Sequence, residues 1–291
     1  MKKIFLSLLL LIGVSGCTEL HLDSSQSSES NDEKEPFVAS EDELVAHYID
    51  VGQGDASVIE LPNGEVMLID AGTSGYGDDI VEYIEDLGYD TIDYVVATHP
   101  HADHIGGMAE VIGSFQIGSI YMPKAVTTSK TYENLLETIQ EKGLSVKTGK
   151  AGVEVLEEDD LAILMVAPVR ESYSNLNNYS IVLTITYGDT TFLYTGDAEE
   201  DSLSEITSNI KADVLKVGHH GSDTSTTKEF LEKVKPEYAI ISVGEGNSYG
   251  HPAASTISLL EEYTSNIYRT DLNGTVVVRS DGVNITVETE R

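Results

Sequence analysis

The stretch Thr98-His99-Pro100-His101-Ala102-Asp103-His104-Ile105-Gly106-Gly107 packs three imidazoles and a carboxylate into six positions. It follows the apolar run 94–97, so it stands where a strand opens into a loop. In extended chain, side chains two apart share a face, so His99 and His101 can look at one ion. Asp103 and His104 fall at the start of the next helical stretch, turned toward a second ion. Imidazole and carboxylate ligands together suit zinc, manganese or iron. A solvated polar turn would not need three histidines. Two more strand-end groups follow: His219-His220 after the apolar run 214–217, and His251 after 238–243. Asp197 closes Thr195-Gly196-Asp197 at the end of an apolar strand, which leaves its carboxylate at a sheet edge. Its competing role is a helix cap before Glu199.

Outward from these motifs, the chain alternates short β-branched runs with helically spaced ones. Strands are predicted over 46–50, 56–60, 66–69, 94–98, 119–122, 161–166, 181–187, 191–195, 214–217 and 238–243. A final pair, 274–279 and 283–287, is joined by a hairpin at Ser280-Asp281-Gly282. Helices are predicted over 79–87, 105–112, 132–141, 199–208, 226–235 and 254–263 from apolar spacing of three to four. The early strands form a meander and the later ones alternate with helices. This α/β (α+β) pattern predicts a mixed sheet, or two sheets, layered between helices. No internal repeat and no Gly-rich phosphate loop is evident.

The HxHxDH cluster after a strand resembles the signature of the metallo-β-lactamase fold, an αββα sandwich. More narrowly, the chain resembles the hydrolase domain of the ComEC DNA-uptake proteins. The segments that carry this are Tyr48-Ile49-Asp50-Val51-Gly52-Gln53-Gly54-Asp55-Ala56, Leu68-Ile69-Asp70-Ala71-Gly72, the histidine cluster, and Asn177-Asn178-Tyr179-Ser180. Tyr194-Thr195-Gly196-Asp197, Leu215-Lys216-Val217-Gly218-His219-His220-Gly221-Ser222 and Tyr249-Gly250-His251-Pro252 complete them in family order. The resemblance implies two divalent metal ions, Zn²⁺ or Mn²⁺, with Asp197 bridging. His99, His101, Asp103, His104 and His251 supply the other ligands. It makes Asp70 a residue that orients a ligand histidine, its alternative being a turn aspartate. One of His219 and His220 is then expected to face substrate as an acid or electrostatic stabiliser, as in ribonuclease Z, and the other to be a ligand or simply packed. Asn178, Ser180 and Ser222 are expected to contact substrate. No histidine lies between His104 and His219, where most of the superfamily carries a ligand. Asn177, Asn178 and Ser180 stand there instead, as in the ComEC group, and such oxygen donors favour Mn²⁺ or exchangeable Zn²⁺. Asp50, Gln53 and Asp55 are either functional or turn-shaping, and His21 and His47 have no partner nearby in sequence.

At the N-terminus, Met1-Lys2-Lys3, an apolar run 4–14 and Val14-Ser15-Gly16-Cys17 resemble a bacterial lipoprotein signal. Cys17, the chain's one cysteine, is expected to carry the lipid and anchor the protein on the extracytoplasmic face of the cell membrane. With a single cysteine there is no internal disulfide. Residues 18–43 are an acidic, Ser-rich tether, and 44–291 the hydrolase domain. The whole chain has a formal charge of −33, and residues 44–291 carry 41 acidic against 14 basic side chains, a net of −27. That excludes grip on nucleic acid through a broad basic surface, and polybasic membrane binding. It does not exclude a metal site, which supplies its own positive charge.

The expected activity is therefore exported, metal-dependent hydrolysis of a phosphodiester, with DNA or short oligonucleotides leading. A phosphocholine or teichoic acid ester, a lactonase or β-lactamase activity, and a non-catalytic surface lipoprotein are the alternatives. No segment points to a protein partner.

Overall fold

In the computed structural model, which describes residues 42–291, two mixed sheets lie face to face between outer helices. Cys17 and nearly all of the 18–43 tether lie outside the described residues. The first half begins with an antiparallel meander, β1 (Leu44–Tyr48), β2 (Ala56–Glu60) and β3 (Val66–Ala71). It continues through α1 (Gly77–Asp86), β4 (Thr91–Val96), α2 (Ala102–Ile105), α3 (Met108–Ser114), β5 (Gln116–Met122), α4 (Lys130–Glu141) and β6 (Val146–Thr148). Strands β3 to β6 run parallel.

The second half repeats the plan. Strands β7 (Val153–Glu157), β8 (Leu161–Ala167), β9 (Val182–Tyr187) and β10 (Thr190–Tyr194) form a meander. Then come α5 (Glu200–Leu203), β11 (Val214–Lys216), α6 (Lys228–Val234), β12 (Tyr238–Ile241), α7 (Ala254–Leu260) and β13 (Asn266–Arg269), with β10 to β13 parallel. After α8 (Thr270–Asn273), β14 (Val276–Ser280) and β15 (Ile285–Thr289) return to the first sheet, where β14 pairs with β1. The sheet orders are β15-β14-β1-β2-β3-β4-β5-β6 and β13-β12-β11-β10-β9-β8-β7. A repeat absent at the level of residues is thus present in the topology.

Period-two alternation explains the layers. Ile59, Met67 and Ile69 face the second sheet with Leu183, Ile185 and Phe192, while Val58, Val66 and Leu68 face the helices with Ile80, Ile84 and Leu135. A third apolar cluster joins Leu193, Leu215 and Ile241 to Leu231 of α6 and Leu260 of α7. The result is the expected αββα sandwich.

The single helix expected over 105–112 is two, parted at Gly106-Gly107. Their N–H groups donate to Gly72 and Ala71 carbonyls at 2.7 and 3.2 Å. A Cβ on Gly106 would lie 2.3 Å from the Ser74 nitrogen, so only glycine allows this approach. The helix expected over 199–208 ends at Leu203.

Candidate metal centre

Each half of the fold sends its chemistry to the same place, the C-terminal ends of strands where meander meets parallel sheet. Asp70 lies near the end of β3 and the histidine cluster follows β4. In the second half, Asp197 follows β10 and His219-His220 follow β11. Asp70, His219 and His220 take left-handed backbone angles, with φ of 57°, 51° and 53°. Such strain in non-glycine residues collects at functional positions.

Asp70 is buried and fully engaged. It accepts the Thr98 N–H at 2.8 Å, the Thr98 hydroxyl at 2.6 Å and the His104 Nδ1–H at 2.7 Å. With Nδ1 donating to Asp70, the His104 Nε2 is turned to the centre and lies 3.2 Å from Asp197 Oδ1. Neither of those two buried atoms has a hydrogen-bond partner. The Thr98 hydroxyl, having given its proton to Asp70, accepts from His99 Nδ1 at 3.2 Å. His99 Nε2 then converges with His101 Nδ1 at 3.0 Å and with Asp197 Oδ2 at 3.7 Å.

On the other side, His220 donates through Nδ1 to the Ser242 carbonyl at 3.0 Å, with Asp55 Oδ1 at 3.2 Å. Its Nε2 approaches Asp103 Oδ2 at 3.2 Å and Asp197 Oδ2 at 3.7 Å. Asp55 is itself locked to Lys216 at 2.7 Å, and both side chains are almost completely buried.

Two groups of ligand atoms result. Asp103, His104, Asp197 and His220 form one, and His99, His101 and Asp197 the other, with the atoms of each within 4.8 Å of one another. Asp197 belongs to both. Asp55, Asp70 and His104 also converge, but the Lys216 ammonium sits on Asp55 and supplies the positive charge there.

The electrostatics fit a cation. Burial, and next the nearby His104, push His99 well below the ordinary imidazole range. Burial opposes a proton on His104 and His220, yet the surrounding carboxylates prevail. Asp197 and Asp70 hold His104 well above its usual range, and Asp197, Asp103 and Asp55 raise His220 to about 10. Burial would likewise raise Asp197, but His104 and His220 hold its carboxyl well below the usual range. Positive charge is thus favoured beside the buried carboxylates. Divalent ions would take over that charge, and the orphaned His104 and Asp197 atoms would take part in coordination. The residues present therefore fit a metal pair.

The centre opens into a cavity of about 360 Å³ lined by Gln53, His101, Asp103, Asn177, His219 and His251 among others. His251 lies outside both ligand groups, its ring 6.5 Å from that of His220 and 5.5 Å from that of His219. His220 thus belongs to one ligand group, while His251, expected as the ligand, lines the cavity outside both with a buried Nδ1 that has no partner. The three residues expected to touch substrate are engaged elsewhere. Asn178 Oδ1 accepts the N–H groups of Glu199 and Ser202 at 3.1 and 3.2 Å, capping α5. Ser180 Oγ accepts the Asp197 N–H at 3.0 Å, and Ser222 Oγ accepts the Thr224 N–H at 3.3 Å. None of the three is among the cavity-lining residues, whereas Asn177 is, with a buried Oδ1 that has no partner.

Sequence reasoning missed Lys216 and left Asp55 undecided. The available signal was a lysine inside the apolar run 214–217, which is expensive to bury without a carboxylate. His47, incidental in sequence, is buried and bonded to Glu60 at 2.8 Å and to the Tyr83 hydroxyl at 2.9 Å, away from the centre.

The pattern of the Metallo-beta-lactamase superfamily matches residues 49–245. ComE operon protein 3 of Bacillus subtilis (strain 168) is 32% identical over 264 residues, covering 84% of this chain and 34% of that protein. Competence protein ComA of Neisseria gonorrhoeae is 28% identical over 244 residues, covering 82% of this chain and 33% of that one. The chain spans about a third of the length of these relatives. Among solved structures, the metallo-beta-lactamase fold protein YhfI from Bacillus subtilis aligns with a TM-score of 0.51 at 14% identity, over 82% of this chain and all of that one. That likeness bears on the fold alone. With its αββα sandwich, its strand-end histidines and aspartates and the match over most of its folded part, the chain belongs to the metallo-beta-lactamase superfamily.

Proposed function

We propose that the protein is a two-metal phosphodiesterase, exported and held on the outer face of the cytoplasmic membrane through Cys17, with DNA or short oligonucleotides as its leading substrates. The observation that carries this reading is Asp197, whose carboxylate is shared by two ligand groups that open into one cavity. A divalent pair bound there supplies Lewis-acid stabilisation of charge on an attacked phosphoryl group and acidifies water.

The chain's own residues do the rest. Asp70 fixes the His104 tautomer, and Asp55 with the Ser242 carbonyl fixes that of His220. We assign His220, with Asp103, His104 and Asp197, to one ion, and His99, His101 and Asp197 to the other. His219 and His251 line the cavity beyond these ligands and are placed to give a proton to the leaving oxygen. Asn177 stands in the cavity in place of the missing middle histidine. Its amide oxygen is a harder donor than imidazole, which supports Mn²⁺ or exchangeable Zn²⁺.

The competence-type names of the relatives support a nucleic-acid substrate. The net charge of −27 supports a small diester instead, since little basic surface is available to neutralise a long backbone. Metal analysis of the purified protein, with assays on a p-nitrophenyl phosphodiester and on single-stranded DNA, tests the proposal. Metal-dependent turnover of the diester is expected, with slower cutting of DNA. Hydrolysis of nitrocefin or a lactone without any diester turnover would overturn it.

A further inference from the structure

Tyr249 is the one aromatic among the large apolar side chains that the described residues leave strongly exposed, at 68%. It stands at the mouth of the cavity. A lone exposed aromatic ring beside a reactive centre is poorly placed for folding and well placed for a ligand. The backbone that carries the ring is held in place. Asn247 Oδ1 accepts the N–H groups of Tyr249 and His251, both at 3.1 Å, and its amide donates to the carbonyls of Gly244 and His251. The start of this loop is pinned to the first half of the fold, where Gln53 Oε1 accepts the Gly244 N–H at 3.1 Å. A Cβ on Gly244 would lie 2.7 Å from the Gln53 nitrogen, so the approach requires glycine. The Tyr249 and His251 rings are near parallel, 25° apart with centroids at 6.0 Å.

Charge supplies the second line of argument. A fold of net −27 has few cations with which to hold phosphates, so affinity for an oligonucleotide must come largely from elsewhere. Stacking of bases on an aromatic ring is the uncharged alternative. It tolerates any sequence because every base has a π-face.

We propose that Tyr249 is a base-stacking subsite that holds the nucleobase next to the phosphodiester at the metal centre. This rests on the phosphodiesterase reading and narrows its substrate class to esters that carry a base.

Two esters with the same leaving group test it: thymidine 5′-(p-nitrophenyl phosphate) and methyl p-nitrophenyl phosphate. The wild type should prefer the thymidine ester in kcat/KM. Tyr249→Ala should erase that preference through KM, by on the order of tenfold, while Tyr249→Phe and Tyr249→Trp keep it. Binding to a short oligothymidylate and to its abasic counterpart, measured with metal chelated, gives a readout free of turnover. The oligothymidylate should bind more tightly, and Tyr249→Ala should remove the difference. Equal handling of both esters by the wild type, or an equal loss on both in Tyr249→Ala, would overturn the subsite and leave the phosphodiesterase reading standing. If neither ester is hydrolysed, the phosphodiesterase reading falls. The base-dependent binding then decides the subsite alone: its presence upholds stacking and its absence overturns it.

Discussion

Asp197 puts one carboxylate against two sets of imidazoles, so its loss should empty both sites. On the two-metal proposal, Asp197→Ala is expected to bring metal content from two ions per chain to below one, read by elemental analysis of the purified variant, and to abolish turnover. His220→Ala should also lose metal, whereas His251→Ala should retain it and slow turnover. The opposite pattern would exchange the two assignments. Asp70 acts through His104 and Thr98, and Asp70→Asn should weaken metal binding by about 10–100-fold in a metal titration. Lys216 presents a different case. Removing the ammonium in Lys216→Met leaves Asp55 charged and buried, with His220 still beside it, at a cost of about 3–5 kcal/mol in denaturant unfolding. A second change, Asp55→Leu in that background, should recover part of this loss and still impair metal binding, since His220 loses a partner of its Nδ1.

At the scale of elements, the break between α2 and α3 is what brings Asp103 and His104 beside β3. Gly106→Ala would push against the Ser74 backbone, and such overpacking costs about 1–3 kcal/mol. A lowered unfolding midpoint accompanied by weaker metal binding is expected. A midpoint change with metal affinity intact would mean that the break serves packing only. The central strands were legible in sequence because both their faces are buried. Residues 56–60 were located to the residue, and 66–69 and 161–166 fell within β3 and β8. The three strands that escaped, β6, β7 and β13, are sheet edges. Their residues are exposed or half-buried, as in Val146-Lys147-Thr148, so selection for apolar residues there is weak. The edge strand β15 was found through its turn, where Asp281 Oδ1 accepts the Val283 and Asn284 N–H groups.

For the molecule as a whole, metal binding and stability are linked. Ions that bind the folded protein and not the unfolded chain stabilise it, so chelation should lower the melting temperature, and Mn²⁺ or Zn²⁺ should restore it in proportion to concentration. Since few phosphates can meet a basic side chain, the binding of single-stranded DNA should depend only shallowly on salt. A slope as steep as that of a basic nucleic-acid binder would refute this. On the proposed anchoring through Cys17, Cys17→Ser should release the protein from the membrane fraction, or leave it unprocessed, with the metal centre intact; a wild type recovered wholly soluble and unlipidated would refute the anchor.

The sequence by itself determined the class of fold and most of the ligand types. Imidazoles and carboxylates at strand ends, and the alternation of strand and helix signals, are local properties written in consecutive residues. Only the tertiary structure decided which strand-end histidine joins Asp103, His104 and Asp197, and that Asn177, not Asn178, faces the cavity. It also decided that Lys216 is the buried counterion of Asp55, 161 positions away. The reason is physical. Adjacent histidines such as His219 and His220 differ in sequence by one position, but their left-handed backbone angles turn one ring toward Asp103 and the other toward Thr224. The direction of His220 is set by Asp55 and Asp103 in the other half of the fold, contacts that no stretch of consecutive residues contains.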